Sequence, residues 1–175
     1  MHLSPDRAIT GNLPSVHRRF VLPVAGLLVA VGAAVVGGWY AHNSVVVQIL
    51  PSLVPMQFNT AVGFVASGVA LGCLHRGRRL TARILAAGLV VLGVATLFEY
   101  VAYVDLGIDC LLVDPFTTTG VSHPGRMAPA SALCFAFAGA AFLFLVPPAR
   151  FLERPLTAAL LAMLVATLGG LTLLG

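Results

Sequence analysis

Five long apolar stretches restrict the possible folds of this chain more than any other feature of its sequence. They cover about residues 20–41, 56–75, 80–103, 127–146 and 155–175. Each is close to the ~20 residues that an α-helix needs to cross the ~30 Å hydrocarbon core of a bilayer. Stretches this long and continuous favour helices over the short alternating strands of a membrane barrel. The sequence therefore predicts an all-α fold, a polytopic membrane bundle of five transmembrane helices.

The composition agrees with a membrane protein and excludes an ordinary soluble domain. Hydrophobic residues make up 59% of the chain and charged residues 9%, whereas soluble domains carry about 25% charged residues. A lipid bilayer is therefore the first partner that the sequence implies. The formal net charge of +4 comes from arginines near the ends of the apolar stretches, so we expect these arginines to orient the helices and not to bind nucleic acid.

The placement of the arginines predicts the orientation of the helices. They precede the first stretch and flank the second-to-third and fourth-to-fifth turns, and Arg126 is the one exception at the opposite ends. Because positively charged residues stay cytoplasmic, residues 1–19 are predicted to form a cytoplasmic tail and residues 20–175 a multi-pass transmembrane domain. The first stretch is too long for the apolar region of a signal peptide, which spans about 7–15 residues.

Part of the sequence occurs twice in altered form. Residues 55–64 align with residues 126–135 when Met56 is placed on Met127, and the further equivalent positions are Thr60 and Ser131, Ala61 and Ala132, Phe64 and Phe135, and Gly68 and Gly139. Each copy opens an apolar stretch, so we expect parallel two-helix repeats in which the fifth stretch begins a third unit. The missing partner of the fifth stretch suggests a chain truncated before a sixth helix.

Polar side chains cluster at the predicted outer ends of the second, third and fourth stretches. Polar residues within a membrane are rare and are candidates for function. The predicted ligand-binding residues are Gln57, Asn59 and Thr60 in the second stretch, Glu99 and Tyr100 in the third, Asp109 in the following loop, and Arg126 and Ser131 at the start of the fourth. In a helix bundle these residues would line a cavity that faces outward.

Glu99 is the most informative of these residues. A carboxylate in hydrocarbon costs several kcal/mol unless it is paired or protonated. Glu99 is therefore expected either to pair with Arg126 or to stay protonated and sense protons or cations. A purely structural alternative is that Glu99 reaches the membrane interface and ties the third stretch to the fourth.

Other polar residues also have structural alternatives. Gln57 and Asn59 suit the polar head of a ligand, but they equally suit a helix N-terminus or a bond between helices. His42 and His123 are weak candidates for a Zn or Cu site with the loop aspartates, because they lack a compact ligand spacing. We therefore predict no metal site, and the sequence identifies no cofactor.

Motifs of enzyme active sites are absent from the sequence. It contains no nucleotide-binding loop, no G-x-S-x-G and no H-E-x-x-H, which are the motifs of phosphate binding, serine hydrolysis and zinc-dependent proteolysis. We therefore expect no enzyme activity in this chain.

Several short motifs resemble those of the multi-pass (MASE-like) membrane sensor regions at the N-termini of bacterial signalling proteins. They are QILP (48–51), PMQFNTA (55–61), LFEY (97–100), LGID (106–109) and PGRMAP (124–129), within a resemblance that covers residues 39–175. In that family PAS, diguanylate cyclase (GGDEF) or histidine kinase modules follow the membrane region, commonly after a sixth helix. The resemblance implies a bacterial inner-membrane location and an output module, beyond this chain, that would hold any catalytic activity.

The residues and the resemblance together predict a sensory input domain. A ligand or ion would bind at the outer ends of the second to fourth stretches, and a change in helix packing would pass to a cytoplasmic output. A homodimer is expected because many such outputs act as dimers. Two alternatives stay open: a small transporter or channel subunit, which needs a polar path through the membrane, and a structural membrane scaffold.

Overall fold

The chain folds into helices, as the apolar stretches predict. The computed structural model describes residues 15–48, 54–116 and 123–145, and these contain no strand. The helices are α1 (Ser15–Tyr40), α2 (Ser44–Gln48), α3 (Phe58–His75), α4 (Arg79–Ala102) and α5 (Pro129–Leu145). The all-helical prediction is confirmed for this part of the chain. The predicted fifth helix (155–175) and most of the predicted N-terminal tail lie outside the described residues.

Three of the helices are long and apolar enough to cross a membrane, namely α1 from Phe20, α3 and α4. Helix α5 is equally apolar but has 17 residues, which corresponds to about 25 Å at 1.5 Å per residue. Large apolar side chains point outward along these helices, for example Leu27, Ile84 and Val91, each more than 60% exposed. Such a surface suits lipid better than water. Helix α1 begins earlier than its predicted span, at Ser15. The short α2 lies between the first and second predicted spans.

Helices α1 and α3 pack against each other at glycines. A methyl group added at Gly32 of α1 would lie 2.6 Å from the carbonyl oxygen of Ala61, and one added at Gly68 of α3 would lie 2.6 Å from that of Ala25. The helix backbones therefore approach more closely than any side chain would permit. Gly72, four residues after Gly68 in α3, has no atom near enough to meet an added methyl group.

Helices α4 and α5 make the same kind of contact. A methyl group added at Gly139 of α5 would lie 2.6 Å from the carbonyl oxygen of Ala86, and one added at Gly93 of α4 would meet the backbone of Ala132 and Ala136. In both pairs the later residues of one helix face the earlier residues of the other, so each pair is antiparallel.

A hydrogen bond closes each helix pair at the end that carries the long loops, which we call the loop end. In the first pair the indole Nε1 of Trp39 donates to the carbonyl oxygen of Met56 at 2.9 Å. In the second pair the hydroxyl of Tyr100 donates to the carbonyl oxygen of Met127 at 3.2 Å. Each donor lies at the end of one helix and each acceptor just before the next, so the bond fixes how the chain enters the second helix.

The two pairs join through α3. A short turn after His75 leads into α4 and exposes the arginines at positions 76, 78 and 79. Nearer the loop end, the rings of Phe64 and Phe135 meet edge to face with 5.7 Å between their centroids. The described bundle thus has one basic end, formed by the α3–α4 turn, and one loop end, where α2 and the segments 103–116 and 123–128 lie.

Candidate functional site

The candidate site is built around Glu99 in the last turns of α4. This side chain has no exposed surface. Its Oε1 accepts a hydrogen bond from the backbone N–H of Leu106 at 2.8 Å. The bond becomes possible because α4 is followed by Tyr103, whose left-handed backbone (φ 54°) turns the chain back. The loop that leaves α4 is therefore anchored on the carboxylate of Glu99.

Arg126 approaches the same carboxylate from the segment before α5. Its Nε lies 3.5 Å from Glu99 Oε2 and donates a hydrogen bond to Asp109 Oδ2 at 2.6 Å. Its Nη2 lies 3.9 Å from Asp105 Oδ1. The predicted alternative in which Glu99 pairs with Arg126 thus describes a real contact, but Asp109 is the closer partner. We call Glu99, Asp105, Asp109 and Arg126 the charged cluster.

The charges of its neighbours hold Arg126 in its protonated form. Burial alone would lower the pKa of the guanidinium, but the hydrogen bond to Asp109 and the negative charges of Asp109 and Glu99 raise the pKa above its ordinary value. Arg126 therefore acts as a permanent cation within this site.

Gly125 allows Arg126 to approach Asp109. Its φ is +82°, and a methyl group added at this position would lie 2.9 Å from the carbonyl oxygen of Asp109. A residue with a side chain would be strained by the positive φ and would push the two loop segments apart. The Pro-Gly-Arg sequence thus serves to place the guanidinium against the carboxylates.

Four buried side-chain oxygens, two of them in the charged cluster, lack a hydrogen-bond partner within the described part of the chain. They are Glu99 Oε2, Asp109 Oδ1, Thr96 Oγ1 and Gln57 Oε1. All four side chains are at most 7% exposed. A buried polar atom without a partner costs about 1–3 kcal/mol, so these oxygens can accept hydrogen bonds that the described residues do not donate to them.

A cavity of about 260 Å³ lies beside the cluster, with Glu99, Tyr100, Tyr103, Asp105, His123 and Arg126 in its wall. The Tyr100 ring faces the guanidinium of Arg126 at 5.4 Å and meets the His123 ring at 5.9 Å. Tyr103 and Asp105 are strongly exposed, so the cavity reaches the protein surface. Carboxylates and aromatic faces in one wall favour a ligand with positive charge.

The other predicted site residues lie at the same end of the bundle but have other contacts. Asn59 Nδ2 donates to the carbonyl oxygen of Ile108 at 3.0 Å. This bond connects α3 to the loop that carries Asp109. Gln57 Nε2 donates to the nearby carbonyl oxygen of Pro55. In the described structure no hydrogen bond or ion pair joins Thr60 or Ser131 to the charged cluster. Ligand binding by these four residues, as by the other predicted site residues, stays a prediction.

The histidines considered for metal binding lie apart from each other. His42 packs against the ring of Phe116, whereas His123 lies against Tyr100. Among the described residues, one group of acidic, histidine or cysteine side chains is close enough to share a metal ion, and it consists of Glu99, Asp105 and Asp109. Of the histidines and loop aspartates considered together in the sequence, the structure brings Asp105 and Asp109 together with Glu99, and the absence of a metal site stays a prediction.

Asp105 and Tyr103 line the cavity but are not among the predicted ligand-binding residues. Both lie in the segment that connects Glu99 to Asp109. Their position between two predicted site residues could have indicated that they belong to the site. Comparisons of the chain with family models, curated proteins and solved structures gave no significant match. The resemblance to bacterial membrane sensor regions therefore stays a prediction.

Proposed function

We propose that this chain is the membrane-embedded sensory input region of a bacterial signalling protein, and that it binds a ligand or ion at the charged cluster. The observation that carries the proposal is the buried contact of Arg126 with Asp109 at 2.6 Å and Glu99 at 3.5 Å. Burial of charges is costly and is not needed to hold helices together. A charged ligand can, however, replace one partner in such a buried ionic contact.

The charged cluster is placed so that such an exchange would move a helix. Glu99 belongs to α4, Arg126 lies three residues before α5, and Asp109 is in the loop between them. A ligand that competes for the carboxylates would release Arg126 and, with it, the start of α5. A ligand shifts such an equilibrium only through unequal affinity for the two packings. A site formed by the end of α4 and the segments that lead to α5 would differ between those packings.

The two helix pairs are, in this proposal, copies of one unit. The equivalent positions of the sequence alignment, Ala61 with Ala132 and Gly68 with Gly139, make equivalent backbone contacts. The bonds to the Met56 and Met127 carbonyls add a further correspondence. Parallel units of this kind would transmit a change at α4 and α5 to the rest of the bundle through α3.

The proposed location is the bacterial inner membrane, with the loop end outside. The basic α3–α4 turn supports a cytoplasmic position for the opposite end of the bundle, because arginines resist translocation. An outer site would report on the medium, and a cytoplasmic output, acting as a homodimer, would receive the signal. The catalytic step would belong to that output and not to this chain.

The size of the native product tests the proposal first. An antibody against the N-terminal residues of the chain should detect, in source cells, a band far above the 18.1 kDa of this sequence. A band near that mass would contradict the link to an output module. Flux measured in reconstituted vesicles would then test the transporter alternative.

Glu99→Gln in the native full-length protein tests the role of the site. We expect an altered dose-response of cyclic-di-GMP level or histidine phosphorylation at equal expression, because the substitution weakens the hold on Arg126. Arg78→Gln in the exposed turn is the matched control. A dose-response of the Glu99 variant identical to that of the control would refute a sensory role for the cluster.

A further inference from the structure

The geometry points to a binding site for a hard divalent cation of the calcium type, with Glu99, Asp105 and Asp109 as its ligands. One carboxylate oxygen from each of these residues lies within 4.8 Å of the other two. Binding of the ion is a property of the chain itself, whereas its role as the sensed signal rests on the proposed function.

Two buried oxygens set this group apart from an ordinary acidic surface patch. Within the described part of the chain, Glu99 Oε2 and Asp109 Oδ1 have no hydrogen-bond partner, although Glu99 is fully buried and Asp109 is 7% exposed. A buried carboxylate oxygen is normally satisfied by a donor. Glu99 Oε2 has only the longer ion-pair contact with Arg126 Nε at 3.5 Å. Glu99 and Asp109 belong to the group that converges with Asp105, so an ion bound there would complete the coordination of their carboxylates.

The charges of the cluster leave room for a cation. With both carboxylates ionised, Glu99 and Asp109 carry two negative charges against one positive charge on Arg126, and all three side chains are at most 9% exposed. Asp105 adds a third negative charge at the surface. Arg126 alone therefore does not neutralise the cluster, and an added cation would reduce the repulsion between the carboxylates.

The chemistry of the ligands selects the class of ion. Carboxylate oxygens suit Ca²⁺, Mg²⁺ and Mn²⁺, whereas Zn²⁺ and Cu²⁺ favour imidazole and thiolate. Ca²⁺ accepts irregular sets of oxygens at about 2.3–2.6 Å, so oxygens bound to one ion can be about 5 Å apart. Mg²⁺ requires shorter bonds near an ideal octahedron and gives up water reluctantly. A loop site with three carboxylates and open access is closer to the requirements of Ca²⁺.

The ion and Arg126 would compete for the same oxygens. Arg126 Nε now donates to Asp109 Oδ2 and lies near Glu99 Oε2. A bound cation would repel the guanidinium and weaken both contacts. Loss of Arg126 should therefore strengthen ion binding while loss of a carboxylate weakens it, and this opposite response separates a competing cation from a residue that merely supports the fold.

Calcium binding to the purified full chain in detergent tests the inference. The probe is Ca²⁺ itself, measured by titration calorimetry, with Tb³⁺ luminescence excited through Tyr100 in the cavity wall as a second readout. We expect one site with a dissociation constant of about 10⁻⁴–10⁻³ M, the range of extracellular calcium modules. Asp109→Asn should weaken binding at least tenfold, and Arg126→Gln should tighten it.

Two further variants make the test independent of misfolding. Asp105 is exposed, so Asp105→Asn should fold normally and still weaken Ca²⁺ binding severalfold. Asp114→Asn is the matched control, because Asp114 lies in the same loop outside the cluster, and it should bind as the unaltered chain does. Absence of Ca²⁺ binding at millimolar concentration, or equal affinity of the Asp105 and Asp114 variants, would overturn the inference.

The outcomes also separate this inference from the proposed function. If the chain binds no divalent cation but Glu99→Gln alters signalling in cells, the cation site is refuted and the sensory site stands, with a proton or an organic cation as its ligand. If Ca²⁺ binds as expected but no variant of the cluster alters the output, the cation site stands as a structural one and the sensory role is refuted.

Discussion

Replacement of Arg126 by Gln removes the guanidinium that lies between the buried carboxylates of Glu99 and Asp109. Its Nε lies 2.6 Å from Asp109 and 3.5 Å from Glu99, and none of the three side chains is more than 9% exposed. Removal of one partner from a buried ion pair costs about 3–5 kcal/mol. We therefore expect Arg126→Gln to lower the free energy of unfolding by about 4 kcal/mol, close to a thousandfold change in the folding equilibrium.

A double-mutant cycle that combines Arg126→Gln with Asp109→Asn tests whether the contact with Asp109 is the origin of this cost. Asp109→Asn alone removes a charge-assisted hydrogen bond worth about 1.5–3 kcal/mol, but it leaves Arg126 beside Glu99 and relieves the repulsion between the carboxylates. In the double variant both positions carry neutral amides, so one buried charge, that of Glu99, is left without a partner instead of two. The double variant should therefore be at least ~1 kcal/mol more stable than the sum of the single changes predicts.

Unfolding of the full chain in bicelles by increasing SDS, followed by helical circular dichroism, measures these free energies. Arg78→Gln is the control, because Arg78 is exposed in the α3–α4 turn and its loss should change stability by less than about 0.5 kcal/mol. The reasoning is wrong if Arg126→Gln is within about 1 kcal/mol of this control, or if the effects of the two substitutions simply add.

Three further predictions concern the scaffold and its orientation. Gly93→Ala should cost about 1–3 kcal/mol in the same unfolding assay, because its methyl group meets the backbone of α5, whereas Gly88→Ala, with nothing nearby, should be neutral. Asn59→Ala should lower the free energy of unfolding by about 0.5–1.5 kcal/mol, because it removes the hydrogen bond to the loop. It should also speed hydrogen exchange at residues 104–110, and unchanged exchange there would contradict this. In a variant without the other cysteines, Cys110 should react with an impermeant maleimide in intact cells. Labelling only after permeabilisation would contradict the proposed topology. The Cys110 residue is exposed, but partial burial of its thiol beside Gly125 raises its pKa, so labelling should be faster above neutral pH.

The long helices could be predicted from the sequence within a few residues because apolar length alone determines them. The observed α3 and α4 begin and end within two residues of the predicted spans. The five-residue α2 was not predicted, since a helix of this length exists only through its contacts. Its buried Val47 packs with Trp39 and Phe58. A segment this short has no periodic pattern from which that contact could be predicted.

The candidate site was predictable only in part, for a different reason. The expectation that Glu99 meets Arg126 followed from the scarcity of charges at that end of the helices. The closer partner, Asp109, lies in a loop without periodicity, where two glycines with positive φ, Gly107 and Gly125, turn the chain. The bonds to the N–H of Leu106 and the carbonyl of Ile108 use main-chain groups, which every residue carries and which no side-chain pattern can reveal.

The two helix pairs differ most where the charges lie, and this difference bears on function. Counted from the contact glycines Gly32 and Gly93, the buried Val35 of the first pair takes the place of Thr96 in the second, and Gly38 takes that of Glu99. The first pair closes its loop end with Trp39 and other apolar side chains, so this scaffold does not require charge at that position. Apolar groups in place of a buried ion pair are often neutral or stabilising. The charged cluster therefore imposes a cost that packing does not require, which is the expectation for a site retained for what it binds.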